Sequence, residues 1–67
     1  MVGFKEARKK AGLTMMEAGK RIGVSYAAIA QWESGYTMPT AKRLPKVARV
    51  YGCTVDELLR SENEEEL

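Results

Sequence analysis

The chain is poor in the residues from which most enzymatic and metal sites are built. Its 67 residues include no histidine and a single cysteine, Cys53, which excludes a disulfide within one chain and the common Cys/His zinc sites. The chain contains no histidine that could activate a nucleophile. We therefore predict no catalytic site, metal site or cofactor, and expect the chain not to be an enzyme. Cys53 itself is predicted to be a partly buried, small apolar residue.

Long apolar runs are also missing. No stretch approaches the roughly 20 apolar residues of a membrane-spanning helix, and Met1-Val2 lacks the apolar segment of a signal peptide. We therefore expect no membrane contact and a cytoplasmic location. A chain of 67 residues has space for one small domain, so a second, ligand-binding domain and a small-molecule ligand are not implied.

Acidic residues are scarce until the end of the chain. Residues 1–52 contain ten Lys and Arg against three Glu, a net charge of +7, whereas residues 53–67 contain six acidic residues against one Arg, a net charge of −5. The basic part points to a polyanionic partner, with ordinary solvated surface charge as the alternative. Residues 61–67 have almost no apolar content and are predicted to be a disordered acidic tail after a domain at 1–60.

Apolar residues recur at intervals of three and four, which predicts helices and no strands. The pattern gives five short helices, at about 4–11, 15–22, 26–33, 43–51 and 55–60. Pro45 is placed in the first turn of the fourth helix, where its missing N–H does least harm. Each of the first four helices is predicted to end at a glycine; these are Gly12, Gly23, Gly35 and Gly52.

Three helix starts have a capping signal. Thr14 and Glu17 have the spacing of a capping box, in which each side chain satisfies the backbone amide of the other residue. Thr54 and Glu57 repeat that spacing before the fifth helix. Ser25 is predicted to cap the third helix.

Residues 13–35 fit two short helices that cross at a tight turn. Gly19 lies inside the first of the two, where glycine costs about 1 kcal/mol relative to alanine, and we expect close approach of the next helix to compensate. Gly23 supplies the positive φ of the turn. Five further residues are predicted to face a common core: Ala18, Ile22, Val24, Ile29 and Trp32. This arrangement is a helix-turn-helix, which places its second helix in the major groove of DNA.

Further motifs accompany this pattern in a fixed order: Leu13-Thr14, Gly23-Val24-Ser25, Ile29, Trp32-Glu33-x-Gly35, Pro39 and Gly52-x-Thr54-Val55-Asp56-Glu57-Leu58-Leu59. Together they resemble the phage repressor/Cro type of helix-turn-helix domain, also called the xenobiotic-response-element family of transcription regulators. The resemblance covers about residues 3 to 60. It implies a compact, all-α, five-helix, lambda-repressor-like domain that binds double-stranded DNA as a homodimer.

The resemblance also implies a structural pair between Arg8 and Glu33. The sequence supports this pair independently, because Glu33 is the only acidic residue between Glu17 and Asp56 and shares a helix with the inward-facing Trp32. A contact between Arg8 and a DNA phosphate is the alternative.

Carried over position by position, the base contacts of the family fall on Ser25, Tyr26, Ala27, Ala30 and Gln31. Helical geometry agrees, since positions 26, 27, 30 and 31 face outward if Ile29 and Trp32 face inward. Glutamine can form two hydrogen bonds with adenine, and alanine can contact a thymine methyl. Solvation of Gln31 without any base contact, and packing of Tyr26 on a neighbouring loop, are the alternatives.

Phosphate contacts are expected from the start of the second helix, from the loop after the third helix and from the start of the fourth. The residues concerned are Thr14, Met15, Gly35, Tyr36, Thr37, Lys42 and Arg43. Met15 departs from the family, which very often has a glutamine there that anchors the helix to the DNA backbone. Methionine cannot donate that hydrogen bond, although the helix N-terminus still offers amides. Met15 and Met16 either form one exposed apolar patch or divide into a packed and an exposed residue.

Three functions compete on these observations. The first is a sequence-specific regulator, a repressor of a phage-like element or small bacterial operon, whose homodimer occupies an operator. The second is an antitoxin-like protein whose tail binds a toxin while its body binds DNA. The third is a protein-interaction module that has lost DNA binding, which the apolar outward face and Met15 favour and the basic residues disfavour. The fifth helix, with Val55, Leu58 and Leu59, either forms a dimer seam or completes the core of the monomer.

Overall fold

Five α-helices occupy most of residues 3–59, the part of the chain that the computed structural model describes. They are α1 Phe4–Lys10, α2 Met15–Ile22, α3 Tyr26–Ser34, α4 Leu44–Tyr51 and α5 Val55–Leu59, and no strand occurs among these residues. The predicted all-α, five-helix architecture is confirmed. None of the helices in this range has the length and apolar character needed to span a membrane. The predicted tail at 61–67, and Arg60 at the predicted end of the fifth helix, lie outside the described residues.

Side-chain caps fix where the helices begin. Thr14 Oγ1 accepts a hydrogen bond from the Glu17 amide at 3.1 Å, and Glu17 Oε1 accepts one from the Thr14 amide at 2.9 Å, which confirms the capping box. Thr54 and Glu57 form the same reciprocal pair at 2.9 and 3.0 Å. Ser25 Oγ accepts from the third amide of α3 at 3.1 Å.

Glycine ends the first four helical segments as predicted, with small shifts in position. The α3 helix continues one residue beyond the predicted end and includes Ser34, before Gly35 takes a left-handed conformation with φ of 84°. The α1 helix ends at Lys10 and is followed by Ala11 as its C-cap, so that Gly12, with φ of 76°, lies one residue further on. The left-handed residue turns the chain sharply, which lets the next helix pack back on the previous one.

A single apolar core joins all five helices. Its buried hydrophobic members are Ala7, Ala18, Ile22, Ile29, Trp32, Val47, Ala48, Tyr51 and Leu58. The Phe4 ring packs at a tilted angle on Trp32 with 6.2 Å between the centroids, which anchors α1 to α3. Helix α2 packs against α3 and α4, and α4 packs against α5. The inward direction predicted for Ile29 and Trp32 is confirmed.

Gly19 has a different neighbour from the one predicted. A Cβ atom at this position would lie 2.7 Å from the Val24 carbonyl oxygen and 3.6 Å from the Ser25 carbonyl group. The closest approach is therefore made by the backbone of the turn, which passes over α2 before α3 begins. The turn is held there because the Gly19 carbonyl accepts hydrogen bonds from the amides of Gly23 at 2.7 Å and Val24 at 2.9 Å.

Candidate nucleic-acid interface

Helix α3 has one buried and one exposed side. Ile29 is fully buried and holds the helix on the core. Tyr26, the first residue of the helix, is 55% exposed, and Ala27 and Gln31, on the side opposite Ile29, are exposed as well. Ala30 is only half-buried, so it offers less surface to a partner than its neighbours do. The five residues predicted to contact bases thus lie on or beside one accessible helix face, with Ser25 exposed at its start.

The polar groups of this face are few. The Gln31 side chain accepts a hydrogen bond at Oε1 from the Thr37 hydroxyl at 3.5 Å, and its Nε2 group makes no hydrogen bond within residues 3–59. Ser25 Oγ accepts from the Ala28 amide and keeps its own hydrogen for another acceptor. The hydrogen-bonding capacity of the face therefore belongs to Gln31 and the Tyr26 hydroxyl, with the Ser25 hydroxyl beside them.

The loop after α3 folds back onto the end of that helix. The Gln31 carbonyl accepts from the amides of Tyr36 at 3.0 Å and Thr37 at 3.4 Å, and the Trp32 carbonyl accepts from the Gly35 amide at 3.3 Å. Gly35, Tyr36 and Thr37 were predicted to contact phosphate, yet the backbone amide of each already has a partner at the helix end. What the loop still offers to a ligand is the Tyr36 side chain, 79% exposed, and the hydroxyl of Thr37.

Some of the backbone amides at the start of α2 also have hydrogen-bond partners within the protein. The Thr14 amide donates to Glu17, so the donors left for an anion are the amides of Met15 and Met16. Hydrogen bonds from the backbone and side chain of Thr14 lower the pKa of the Glu17 carboxyl, which keeps a negative charge at this helix end and opposes a phosphate there. Met15 is partly buried against the core, whereas Met16 is 60% exposed, so the two methionines divide into a packed and an exposed residue.

Basic side chains gather at the start of α4. Lys42 and Arg43, both predicted to contact phosphate, line an open depression of about 430 Å³ together with Thr40 and Lys46. The Lys46 ammonium nitrogen lies 4.0 Å from the point that a Cβ on Gly23 would occupy, next to the turn between α2 and α3. Lys46 was not among the predicted contacts, although it lies in the first turn of α4, three residues after the N-cap residue Arg43.

Arg8 and Glu33 form an ion pair behind the exposed face. Arg8 Nε donates to Glu33 Oε2 at 2.6 Å and Arg8 Nη2 to Glu33 Oε1 at 3.2 Å, while Nη1 donates to the Leu13 carbonyl at 2.8 Å. The two side chains are only 10% and 7% exposed. The hydrogen bond to Glu33 raises the pKa of Arg8 despite its burial. Since all three guanidinium nitrogens have protein partners, Arg8 joins α1, the following loop and the end of α3.

Residues 3–59 contain no cluster of side chains that could form a metal site. Within 3–59, no three His, Cys, Asp or Glu side chains are placed to share a metal ion. Cys53 is half-buried, and burial raises the pKa of its thiol, so it remains protonated at neutral pH. Its partly buried position agrees with the prediction.

Two helices crossing at a glycine turn, the second exposed on one side and flanked by basic residues, define a helix-turn-helix protein. The chain belongs to the helix-turn-helix family of the Cro/C1 type, whose family model matches residues 4–58. This assignment confirms the resemblance drawn from the motifs and accounts for all five helices at once.

Curated relatives come from phage, bacteria and archaea. The chain is 36% identical over 55 residues to the repressor protein C2 of Salmonella phage P22, an alignment that covers 82% of this chain and 26% of the phage protein. It is 33% identical over 62 residues to an uncharacterized HTH-type transcriptional regulator of Archaeoglobus fulgidus, covering 92% of this chain and 89% of that protein. The chain spans only 26 to 44% of the length of the phage repressor and of two bacterial regulators that it also matches.

Solved structures show the same fold. The crystal structure of the P22 c2 repressor in complex with the synthetic operator 9T, in the presence of Tl+, superimposes with a TM-score of 0.78 and 35% sequence identity. The match covers 85% of this chain and 86% of that one. The lambda-repressor-like fold is therefore confirmed for the described part of the chain.

Proposed function

We propose that the chain is a sequence-specific, double-stranded-DNA-binding regulator of transcription that places α3 in the major groove. The observation that carries this proposal is the exposed face of α3, held rigidly by the buried Ile29 and Trp32 within a basic part of the chain. An α-helix fits the width of the major groove. Because α3 is held on the packed core, its exposed side chains are presented in a fixed geometry. The likeness to a repressor solved with its operator supports the same orientation.

Base contacts are assigned to the exposed face of α3. Gln31 forms paired hydrogen bonds with a base edge, and Ala27 and Ala30 contact thymine methyl groups. Tyr26 and Ser25, at the start of the helix, contact a base edge or the adjacent phosphate. Because only Gln31 and Tyr26 supply most of the polar contact with bases, the affinity of one half-site is modest.

Phosphate contacts position the domain and supply the salt-dependent part of the affinity. The strongest contributors are Lys42 and Arg43, joined by Lys46 beside the turn. The loop at 35–37 contributes through the Tyr36 side chain, because its amides already donate to the end of α3. At the start of α2 the amide of Met15 is available, whereas that of Thr14 is not.

The domain acts by occupancy, as a homodimer that covers a palindromic operator and blocks polymerase, without a catalytic step and in the cytoplasm. In the predicted seam of α5, Leu58 is buried in the core of its own monomer, while Leu59 is 42% exposed. Of the two, Leu59 therefore offers a contact to a second copy. Dimerisation compensates for the modest affinity of one half-site.

The first prediction tests base contact by Gln31. Selection of bound sites from a random duplex library is expected to return a palindrome whose half-sites lie about one helical turn, or a multiple of it, apart. Gln31→Ala is then expected to lower discrimination at one base pair per half-site by about 5- to 100-fold, with less effect at the other positions. Lys9→Ala on the exposed side of α1 is the control and should leave the base preference unchanged.

Absence of duplex binding even at low salt would contradict the proposal. That result would favour a protein-interaction module, to which the exposed apolar side chains of Met16, Tyr36 and Met38 are the specific pointer. Binding that is strong but equally tight for every sequence would reduce the proposal to a non-specific DNA-binding protein.

A further inference from the structure

We propose that the exposed lysines of α1 form a docking surface for the acidic residues 62–66 of the same chain. Lys5, Lys9 and Lys10 are all exposed and are called the α1 patch. Residues 62–66, called the acidic segment, consist of four glutamates and Asn63 and lie outside the described residues. The inference goes beyond the proposed function, because this contact forms in the absence of DNA.

The α1 patch is positively charged and has no acidic partner within the described residues. Arg8, the remaining cation of the helix, is buried in its ion pair, whereas no ammonium group of the patch forms an ion pair in that part of the chain. Glu6 is the only acidic residue of α1. Lys5 and Lys9 lie four residues apart, a spacing at which like charges repel each other on a helix. An anionic partner therefore reduces repulsion within α1 as well as supplying attraction.

Helix α5 connects the acidic segment to this part of the molecule. It packs against α1 and α4, and only Arg60 and Ser61 separate its last residue, Leu59, from the acidic segment. Within α4 two cations are exposed, Lys46 and Arg49, and the first of them is assigned to phosphate. With three lysines and no role in the proposed DNA contact, α1 is the better match for four glutamates.

The connection is long enough for this contact. Contacting Cα atoms of α1 and α5 lie within 8 Å of each other, and the two helices are about 9 and 6 Å long between their terminal Cα atoms. Leu59 is therefore no more than about 23 Å from any Cα atom of α1. Seven extended residues span about 23 to 25 Å, which brings Glu66 to the α1 patch even in the least favourable arrangement. For Lys42, which precedes the longer α4, the corresponding distance is about 30 Å.

The contact is electrostatic and needs no fixed conformation of the acidic segment. A single exposed ion pair contributes little and is screened by salt. Several weak pairs act together here, because the short connection holds the glutamates near the lysines at a local concentration in roughly the millimolar range. The docked segment offsets the positive charge of α1, so the positive charge that remains for DNA is concentrated at the start of α4. This consequence, unlike the contact itself, rests on the proposed function.

The test, our second prediction, maps the contact by carbodiimide cross-linking, which joins a carboxylate directly to an amine. With the protein at about 10 μM, cross-links from the acidic segment are expected on the α1 patch and within single chains, since the local concentration of a tethered segment exceeds that of a second copy about 100-fold. Lys20, exposed in the last turn of α2, should be cross-linked at least about five-fold less. Salt at about 1 M, where the screening length is about 3 Å, should abolish the preference.

A second readout uses a variant in which the acidic segment is neutral. It combines Glu62→Gln, Glu64→Gln, Glu65→Gln and Glu66→Gln, and it changes no residue of the core. At low salt, the backbone amide signals of residues 5–10 are expected to differ in NMR spectra between this variant and the unaltered protein. The difference should vanish at about 1 M salt. The signals of residues 20–21, the pair of cations on α2, should coincide at both salt concentrations.

A third readout tests the consequence for DNA. The neutral variant is expected to bind random duplex about three- to ten-fold more tightly at low salt, because the lysines of α1 are then free to attract phosphates. Adding Lys9→Gln with Lys10→Gln should remove this gain. Adding Lys20→Gln with Arg21→Gln, which takes the same charge from the last turn of α2, should leave the gain in place.

Four results would overturn the proposal, each in a distinct way. Cross-links that are as frequent on Lys20 as on the α1 patch show that the acidic segment has no docking surface. Cross-links mainly on Lys46 place the segment on α4, and cross-links mainly between chains identify a second copy as the partner. An equal gain in affinity in both doubly substituted backgrounds shows that net charge acts without the α1 patch. If the unaltered protein binds no duplex, the proposed function fails, whereas the cross-links and the NMR signals still decide this inference.

Discussion

At the scale of single residues, Tyr51 combines burial with a polar group that lacks a partner. Its side chain is 4% exposed, and its hydroxyl makes no hydrogen bond within the described residues. Burial, followed by the nearby charge of Glu33, raises the pKa of the phenol to about 12. A buried hydroxyl without a partner lowers stability relative to an apolar group of the same shape, so this position contributes through its ring.

The third prediction follows from that pKa. The unfolded chain releases the phenolic proton near pH 10, whereas the folded chain keeps it until about pH 12. The free energy of unfolding therefore decreases as pH rises from 10 to 12, because the folded state binds more protons there. Tyr51→Phe is expected to be at least as stable at neutral pH and to lose less stability over this range, measured by urea denaturation.

Tyr36→Phe serves as the control, since Tyr36 is 79% exposed, and it should show the same alkaline loss as the unaltered protein. An equal loss in Tyr51→Phe would show that the buried phenol does not cause it.

At the scale of elements, the turn between α2 and α3 depends on one missing side chain. The Val24 carbonyl lies 2.7 Å from the position of a Cβ on Gly19, and the Gly19 carbonyl accepts two amides of the same turn. The turn cannot move away without stretching those hydrogen bonds. The orientation of α3, and with it the exposed face, depends on this contact.

The fourth prediction concerns Gly19→Ala. Helix propensity alone favours alanine by about 1 kcal/mol, but the contact with a backbone carbonyl forces a displacement that costs about 1–3 kcal/mol. We expect net destabilisation in thermal or urea denaturation, together with weaker operator binding because α3 is displaced. Lys20→Ala, at the next and exposed position of α2, should stay within about 0.5 kcal/mol. A more stable Gly19→Ala would show that the turn relaxes freely.

At the scale of the whole molecule, positive charge is the property that most favours the proposed binding to DNA. The first 52 residues have a net charge of +7, but the structure divides their roles. Arg8 is held in the ion pair with Glu33, whereas Lys42, Arg43 and Lys46 surround one open depression. A net charge calculated from the sequence counts these residues equally, although only exposed cations can release counterions from DNA.

The fifth prediction uses the salt dependence of binding. Neutralising two phosphate contacts should make the slope of log K against log salt less steep by about 1.8 for each bound protomer. The variant is Lys42→Gln with Arg43→Gln, measured on random duplex and on the selected site at several salt concentrations. Lys5→Gln with Lys9→Gln on α1 removes the same charge away from the proposed surface. Equal slopes for the two double variants would show that the effect comes from net charge and not from these contacts.

Local signals in the sequence were sufficient to predict the helices. The capping pairs at Thr14 and Thr54, the helix-ending glycines and the three-and-four spacing of apolar residues act over a few residues, so the number of helices and most of their ends could be predicted. The inward side of α3 was predictable for the same reason, because Ile29 and Trp32 are related by helical periodicity. The sequence motifs were also sufficient to identify the helix-turn-helix family of the Cro/C1 type.

Only the tertiary structure decided which groups are still free to bind. The amides of Thr14, Gly35, Tyr36 and Thr37 are donors in the sequence, but their partners are set by how each loop folds onto a helix end. The neighbour of Gly19 and the position of Lys46 beside the turn depend on distances between segments, which periodicity does not encode. The sequence by itself thus determined a helix-turn-helix with a defined outward face. Packing decided which donors beside that face already have partners, because a hydrogen bond made within the protein is no longer available to a ligand.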